Sequence, residues 1–390
     1  MAGVGQLPSP DRADRRALVI GASPAGLAAA LAVRSAGYTP VVLEQAAELR
    51  AVGTALTLWP NALAALAELN LADDVAAVGC PAEGNQIRTP SGRLVDDVSG
   101  QAMREWFGST GMTLLRSELI AVLLNRLGAD AIRTGARCVG VTSTPTAVVA
   151  HLADGREETG ALLIGVDGLH SVVRAQLVGG RDPLRYAGYP VWRGIAEYDL
   201  GRAPGSLSMG RGAQFGMFPM RGGRTYWFAS LRMPPGVART VTAAALLYDR
   251  FASWHPPIRD VLITTPAHQI IVTDVYDRRP LRRWRSGRVA LVGDAAHPSE
   301  PTLGQGTCQA LEDAAVLARC LRRGRTVDDA LRAYEASRRR RANGLARQAA
   351  MLGRIGLWQN PLSCWLREQV MTHTPGRLRQ RQLAQMFAFP

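Results

Sequence analysis

Three short turns carry the residues whose types and spacing could do chemistry. The first is Gly293-Asp294, at the end of the apolar run Val289–Val292 and followed by Pro298, Pro301, Gly304 and Gly306. The second is Gly21-Ala22-Ser23-Pro24-Ala25-Gly26, with Glu44 further on, and the third is Asp167-Gly168. An aspartate at a strand end can accept hydrogen bonds from a polyhydroxy chain. A glycine-rich loop that opens a helix presents free N–H groups and a partial positive charge, which suit a phosphate or an electron-rich ring edge. No G-x-S-x-G elbow or comparable nucleophile arrangement is present.

The elements that must position these turns follow from periodicity. Ala17–Ile20 reads as a buried strand, Leu27–Ala36 as a helix ended by Gly37, and Thr39–Leu43 as a second strand closed by Glu44. That unit points to dinucleotide binding. Gly21 would permit the tight turn, Gly26 close helix–strand packing, and Glu44 would accept from ribose hydroxyls. Ser23 stands where the fingerprint usually has its middle glycine, so it must stand aside or bond the phosphate itself. Ala161–Val166 predicts a strand running into Asp167-Gly168, with Ser171 capping a helix over Val172–Leu177. Ser117 is the expected N-cap of a helix over Glu118–Leu127, with Arg116 just before it, and Thr307 the expected cap of the helix after the Gly304–Gly306 loop. From Pro183 to Asp274 short aromatic segments between glycines predict an inserted antiparallel sheet. There Trp192, Phe215, Phe218, Tyr226 and Trp227 line a pocket or form core, and Arg193 anchors a substrate oxygen or braces the domain.

Composition limits the classes. The 390 residues are enough for two domains, 47% are hydrophobic, and the formal net charge is +14. There is no lysine, so every basic residue other than histidine is arginine. No nucleic-acid-reading module accompanies the charge, and nucleic-acid binding is not expected. Five cysteines without a C-x-x-C pair suggest neither a zinc site nor a disulfide framework, and no metal is expected. The N-terminal segment has no signal-peptide core, and no apolar run is long enough to span a bilayer, so a cytoplasmic location without stable membrane insertion is expected. The basic, helical C-terminal part reads as helices packed on the nucleotide domain, or as a membrane-surface helix.

Three motifs in order, GASPAG with Glu44, LLIGVDGLHSVVR and RVALVGDAAHPSEPTLGQGTCQALEDA, resemble the group A FAD-dependent aromatic hydroxylases typified by p-hydroxybenzoate hydroxylase. The stretch VGTALTLWPNA and the run PTLGQG resemble the salicylate hydroxylase and zeaxanthin epoxidase branch. The resemblance implies an α/β fold: a Rossmann-like FAD-binding domain (residues 1–79, 101–182 and 276–350), an inserted antiparallel β-sheet substrate domain (80–100 and 183–275) and C-terminal helices (351–390). It implies FAD contacts from Gly21, Ser23, Ala25, Gly26, Glu44, Gln45, Arg116, Cys138, Asp167, Gly168, Asp294, Pro301, Gly304, Gly306 and Thr307. Arg193 and His297 are the candidate catalytic side chains, and Phe215 and Trp227 the candidate substrate contacts. Ala55 departs from the pattern, since many relatives carry glycine there. With only one nucleotide fingerprint, NADH or NADPH is expected to bind transiently. The implied reaction is hydroxylation or epoxidation of an aromatic or polycyclic small molecule by O2, through a flavin C4a-hydroperoxide, in a monomer or homodimer. An oxidase or dehydrogenase without oxygen insertion, and a basic non-catalytic binding protein, are the competing expectations.

Overall fold

A computed structural model describes residues 15–49 and 54–389; Val52-Gly53 and the segment before Arg15 lie outside them. Strand β1 (Arg16–Ile20) runs into helix α1 (Pro24–Ser35) and returns as β2 (Thr39–Leu43). Helix α2 (Arg116–Leu127), strand β3 (Leu162–Gly165) and helix α3 (Val172–Val178) follow. The first sheet has six strands, in the order Arg285–Ser286, Val289–Leu291, β3, β1, β2, Ile132–Arg133. All neighbours are parallel except the outermost pair at Arg285–Ser286. Because β2 and β3 flank β1 on opposite sides, the chain leaves in two directions at the strand ends. That arrangement opens a crevice there, where open α/β sheets bind ligands. Ala17, Leu18, Val19 and Leu162–Ile164 are fully buried, covered by α1 on one face and by a three-stranded antiparallel sheet (Cys138–Ser143, Val148–Leu152, Glu157–Gly160) on the other.

The second sheet holds β4 (Arg185–Ala196), β5 (Ala213–Met220), β6 (Arg224–Leu231) and β7 (Ile271–Asp277), in the order β7, β4, β6, β5, then Gly205–Met209, Gly84–Arg88 and Leu94–Ser99. Alternation along its strands divides it into two faces. Trp192, Phe215, Met217 and Trp227 form one face and pack with Leu247, Phe251, Ile258 and Val261 of the helices Ala243–Phe251 and Ile258–Ile263. Phe218, Met220 and Tyr226 belong to the other face, which joins the core of the nucleotide-binding layer. The substrate contacts expected at Phe215 and Trp227 are therefore core. Both are fully buried, their rings stack at 5.5 Å, and the Trp227 indole N–H donates to Thr265 Oγ1 at 2.8 Å.

The chain then re-enters the first sheet as β8 (Val289–Leu291), passes the Gly293-Asp294 turn and forms α4 (Gly306–Arg323). Helix α5 (Val327–Gly356) spans both layers, and α6 (Pro361–Thr372) follows it. Two expected caps are corrected. Helix α4 begins at Gly306 with Gln305 as N-cap, so Thr307 lies inside its first turn and caps nothing. Helix α2 begins at Arg116, one residue before the expected cap Ser117, and the Glu118 carboxylate reaches back to accept from Leu115 N–H at 2.8 Å. In each case a local capping preference is overridden by the tertiary position of the preceding loop or strand. No helix among the described residues is long and apolar enough to cross a membrane.

Candidate functional site

The GASPAG turn is built on clashes that only glycine avoids. Gly21 has φ +104° and donates to Leu43 O at 2.8 Å; a Cβ there would sit 2.8 Å from Val166 O. A Cβ on Gly26 would lie 1.9 Å from Gly21 O, so strand and helix touch backbone to backbone. Ser23 does not block the turn. It is the N-cap of α1, its hydroxyl accepting from Gly26 N–H at 3.4 Å, with Pro24 in the first helical turn. The Glu44 carboxylate accepts from Ala22 N–H at 2.7 Å and Ala46 N–H at 2.9 Å, fixing the acid across the mouth of the turn. Gln45 is exposed beside it. Cys138 is buried at the start of the strand Cys138–Ser143; burial and the nearby Asp167 push its thiol above the ordinary range.

Asp167 turns back onto its own helix. It accepts the Ser171 hydroxyl, Val172 N–H at 2.7 Å and Val173 N–H at 3.3 Å, while burial raises its carboxyl. Ser171 caps α3 as expected, accepting from Arg174 N–H at 2.8 Å. Gly168, at φ +75° with open space around it, leaves the turn accessible.

Asp294 sits at the floor of the crevice, its carboxylate open to the crevice and surrounded by protein. Desolvation by the surrounding protein raises its carboxyl, and His297 and Arg116 oppose that shift. Arg116 is only partly exposed; desolvation draws its pKa down and Asp294 opposes the shift. A Cβ on Gly306 would lie 3.9 Å from Asp294 Oδ1, so the carboxylate stands beside the first residue of α4. No side chain caps that helix end. Gly304, at φ +61°, covers the Trp59 indole, whose Nε1 is buried without a partner among the described residues; a Cβ on Gly304 would meet that nitrogen at 2.9 Å. Pro301 and Gly304 are exposed, and Thr307 is partly so. The roof is the inner face of the second sheet. There the Tyr226 hydroxyl meets the side chains of Arg193 and Thr54, the latter just before the strand Ala55–Leu58 that carries Ala55.

His297 lies behind this floor, 3% exposed, with Nε2 2.6 Å from Asp313 Oδ2 and its ring against Trp284. The same Asp313 accepts from Gly293 N–H at 2.9 Å and Arg338 Nε at 2.7 Å. Arg338 and Arg341 also hold Glu312, to which Asn61 donates at 2.6 Å. This buried network clamps the Asp294 turn and the loop before α4 to α5, and sequence reasoning missed its members Asn61, Glu312, Asp313 and Arg338. The available signal was two adjacent acids inside an Ala- and Leu-rich helix together with the Arg338–Arg341 cluster. Arg174 was missed as well. Fully buried, it donates to Ala295 O at 3.1 Å, to Ala296 O at 3.0 Å and to Asp182 at 2.6 Å, tying α3 to the Asp294 turn.

The donor set fits FAD. A glycine turn with a helix N-terminus, an acid beyond the second strand, an arginine–aspartate pair and an uncapped second helix line one crevice. The chain matches the family described as FAD binding domain over residues 14–349. It is 40% identical over 356 residues to the aurachin C monooxygenase/isomerase of Stigmatella aurantiaca, covering 91% of this chain and 93% of the relative. It is 35% identical to the 3-amino-4-hydroxybenzoate 2-monooxygenase of Streptomyces cremeus, covering 93% and 92%. The crystal structure of Klebsiella pneumoniae HpxO complexed with FAD and uric acid superposes with a TM-score of 0.89 at 31% identity, covering 95% of this chain and 96% of that one.

Proposed function

The chain belongs to the FAD binding domain family of flavoprotein monooxygenases, and from that premise we propose how its crevice works. It is an FAD-dependent monooxygenase. FAD, when bound, supplies the redox chemistry, taking electrons from NAD(P)H and activating O2 for transfer of one oxygen atom to an organic substrate. The residues supply position, charge and dryness. The Gly21–Gly26 turn and the α1 N-terminus hold the pyrophosphate, and Glu44 accepts from the ribose of the adenosine. Arg116 neutralises phosphate charge, and Asp294 accepts from a hydroxyl of the ribityl chain. The N-terminus of α4, with Gly306 and Thr307, stabilises negative charge at the pyrimidine edge of the ring. Cys138 and Asp167-Gly168 flank the adenosine end.

The substrate is an electron-rich aromatic or polycyclic small molecule held between the Pro301–Gly304 loop and the second sheet. Arg193 orients it by a charge-assisted hydrogen bond to an oxygen substituent, with Tyr226 holding the guanidinium in place. His297 acts as a positioning residue through Asp313. The observation that carries this reading is the placement of Asp294 beside the uncapped start of α4, with Arg116 next to it. The test is a panel of phenols, aminohydroxybenzoates, fused bicyclic heteroaromatics and purines, scored by stimulated NAD(P)H consumption. Stimulation by at least one electron-rich ring is expected. Consumption that no ring accelerates contradicts the reading.

A further inference from the structure

Behind the Pro301–Gly304 loop, and separate from the Asp294 crevice, lies a cleft of about 440 Å³ between the edge of the second sheet and α5. Its charged lining is four arginines and one aspartate: Arg185, Arg278, Arg347, Arg354 and Asp277. Two of the arginines are committed. Arg185 makes a two-pronged pair with Asp277 at 2.9 and 2.7 Å, and Arg278 donates to Leu169 O at 2.9 Å and pairs with Asp182. Arg347 and Arg354 are exposed on one face of α5; no hydrogen bond or ion pair holds either guanidinium among the described residues, and Arg354 acts on the nearby Glu300 carboxyl only at longer range. Ala346 and Ala350 keep the floor between them low, and the partly exposed Trp358 closes one wall. The cleft therefore combines two exposed guanidiniums, of which Arg354 also lies within electrostatic reach of Glu300, with small side chains beneath them and an aromatic wall. That set suits a phosphate group attached to a planar base.

The position of the cleft narrows the ligand. Its wall reaches the Asp167-Gly168 turn through the bond from Arg278 to Leu169 O. Its floor backs onto Glu300, the residue before Pro301. The Glu300 carboxylate accepts from the Tyr189 hydroxyl at 2.8 Å, and a Cβ on Gly353 of α5 would lie 2.3 Å from Glu300 Oε2. One layer of side chains thus separates the cleft from the loop assigned to the flavin edge. We propose that this cleft docks the phosphates of the nicotinamide dinucleotide, with Arg347 and Arg354 as the anion contacts and Trp358 as a stacking surface for the adenine. The proposal rests on the reading that the enzyme uses NAD(P)H.

The test uses full-length, FAD-loaded enzyme and the variants R347Q, R354Q and R347Q/R354Q. Calorimetric titration with 2′,5′-ADP should show salt-sensitive binding to the wild type that the double variant weakens by about ten-fold or more. The KM for NAD(P)H should rise in parallel, while flavin content and the KM for the aromatic substrate stay at wild-type values. Unchanged 2′,5′-ADP binding in the double variant overturns the proposal. So does a rise in the substrate KM in place of the nucleotide KM, which would assign the cations to an anionic substrate. Anaerobic mixing separates the two levels of failure. If neither NADH nor NADPH reduces the wild-type flavin, the NAD(P)H reading falls and this docking site with it. If the double variant is reduced at the same nucleotide concentrations as the wild type, only the docking site falls.

Discussion

Asp294 and Glu300 are carboxyls on the same loop, and their surroundings give them different work. Asp294 faces the crevice beside Gly306, so its loss removes a hydrogen-bond acceptor from the proposed flavin site and no packing. Asp294→Ala is expected to fold normally and to lose FAD on gel filtration; a flavin-to-protein ratio equal to that of the wild type contradicts the assignment. Glu300 is buried against Tyr189, and burial pushes its carboxyl up to about 7 from an ordinary 4.5. In the folded protein it therefore holds its proton over a range in which the unfolded chain has released it. Stability is lost as pH rises from about 4.5 to about 7, by up to about 3 kcal/mol. Glu300→Gln keeps an acceptor for the Tyr189 hydroxyl and removes the titration. The variant should melt higher than the wild type at pH 8, and the gap should close toward pH 5. A gap independent of pH contradicts this account. Asp294 was legible in the sequence because a strand end and a glycine loop frame it. Glu300 was not, because its burial comes from Tyr189 and Gly353, which are distant in sequence.

Helices α4 and α5 meet through buried charge. Arg338 is fully buried between Glu312 and Asp313, and Asp313 reaches both Gly293 N–H and His297. His297 and Arg338 hold the Asp313 carboxyl below the ordinary range against the opposing effect of burial. Its contribution to stability is accordingly present above the unfolded pKa and is lost as pH falls through the lower folded value. Arg338→Ala removes the cation shared by two buried acids, leaving Glu312 with Arg341 alone and Asp313 with His297 alone, which is expected to cost about 3 kcal/mol. Chemical denaturation measures it, and a loss below about 1 kcal/mol would mean that the network does not clamp the turn. The elements themselves were largely readable from apolar periodicity: β1, α1, β2, β3 and the segments of the second sheet stand where the pattern puts them. The starts of α2 and α4 were not. A serine or threonine near a helix start is a local preference, and here the preceding strand and the Gly304 turn fix the first residue instead.

At the scale of the whole molecule, two sheets are joined so that one forms a floor and the other a roof. The inner face of the second sheet brings Arg193 and Tyr226 against Thr54, whose carbonyl accepts from Arg116 N–H, and its outer face buries Trp227 and Phe215 against two helices. Which aromatic lines the cleft could not be read from the sequence, because Tyr226 and Trp227 are neighbours and a strand sends them to opposite faces. The division of labour was legible through the resemblance of its three motifs to the FAD-dependent aromatic hydroxylases, which implies an oxidative step carried by a bound flavin. The central claim is that the enzyme places one atom of O2 in its product. Turnover of the stimulating ring with NAD(P)H under ¹⁸O₂, followed by mass spectrometry, tests it most directly. The account predicts a product heavier by one ¹⁸O atom relative to the same reaction in ¹⁶O₂, and no label when only the water carries ¹⁸O. An unlabelled product formed in ¹⁸O₂ contradicts it.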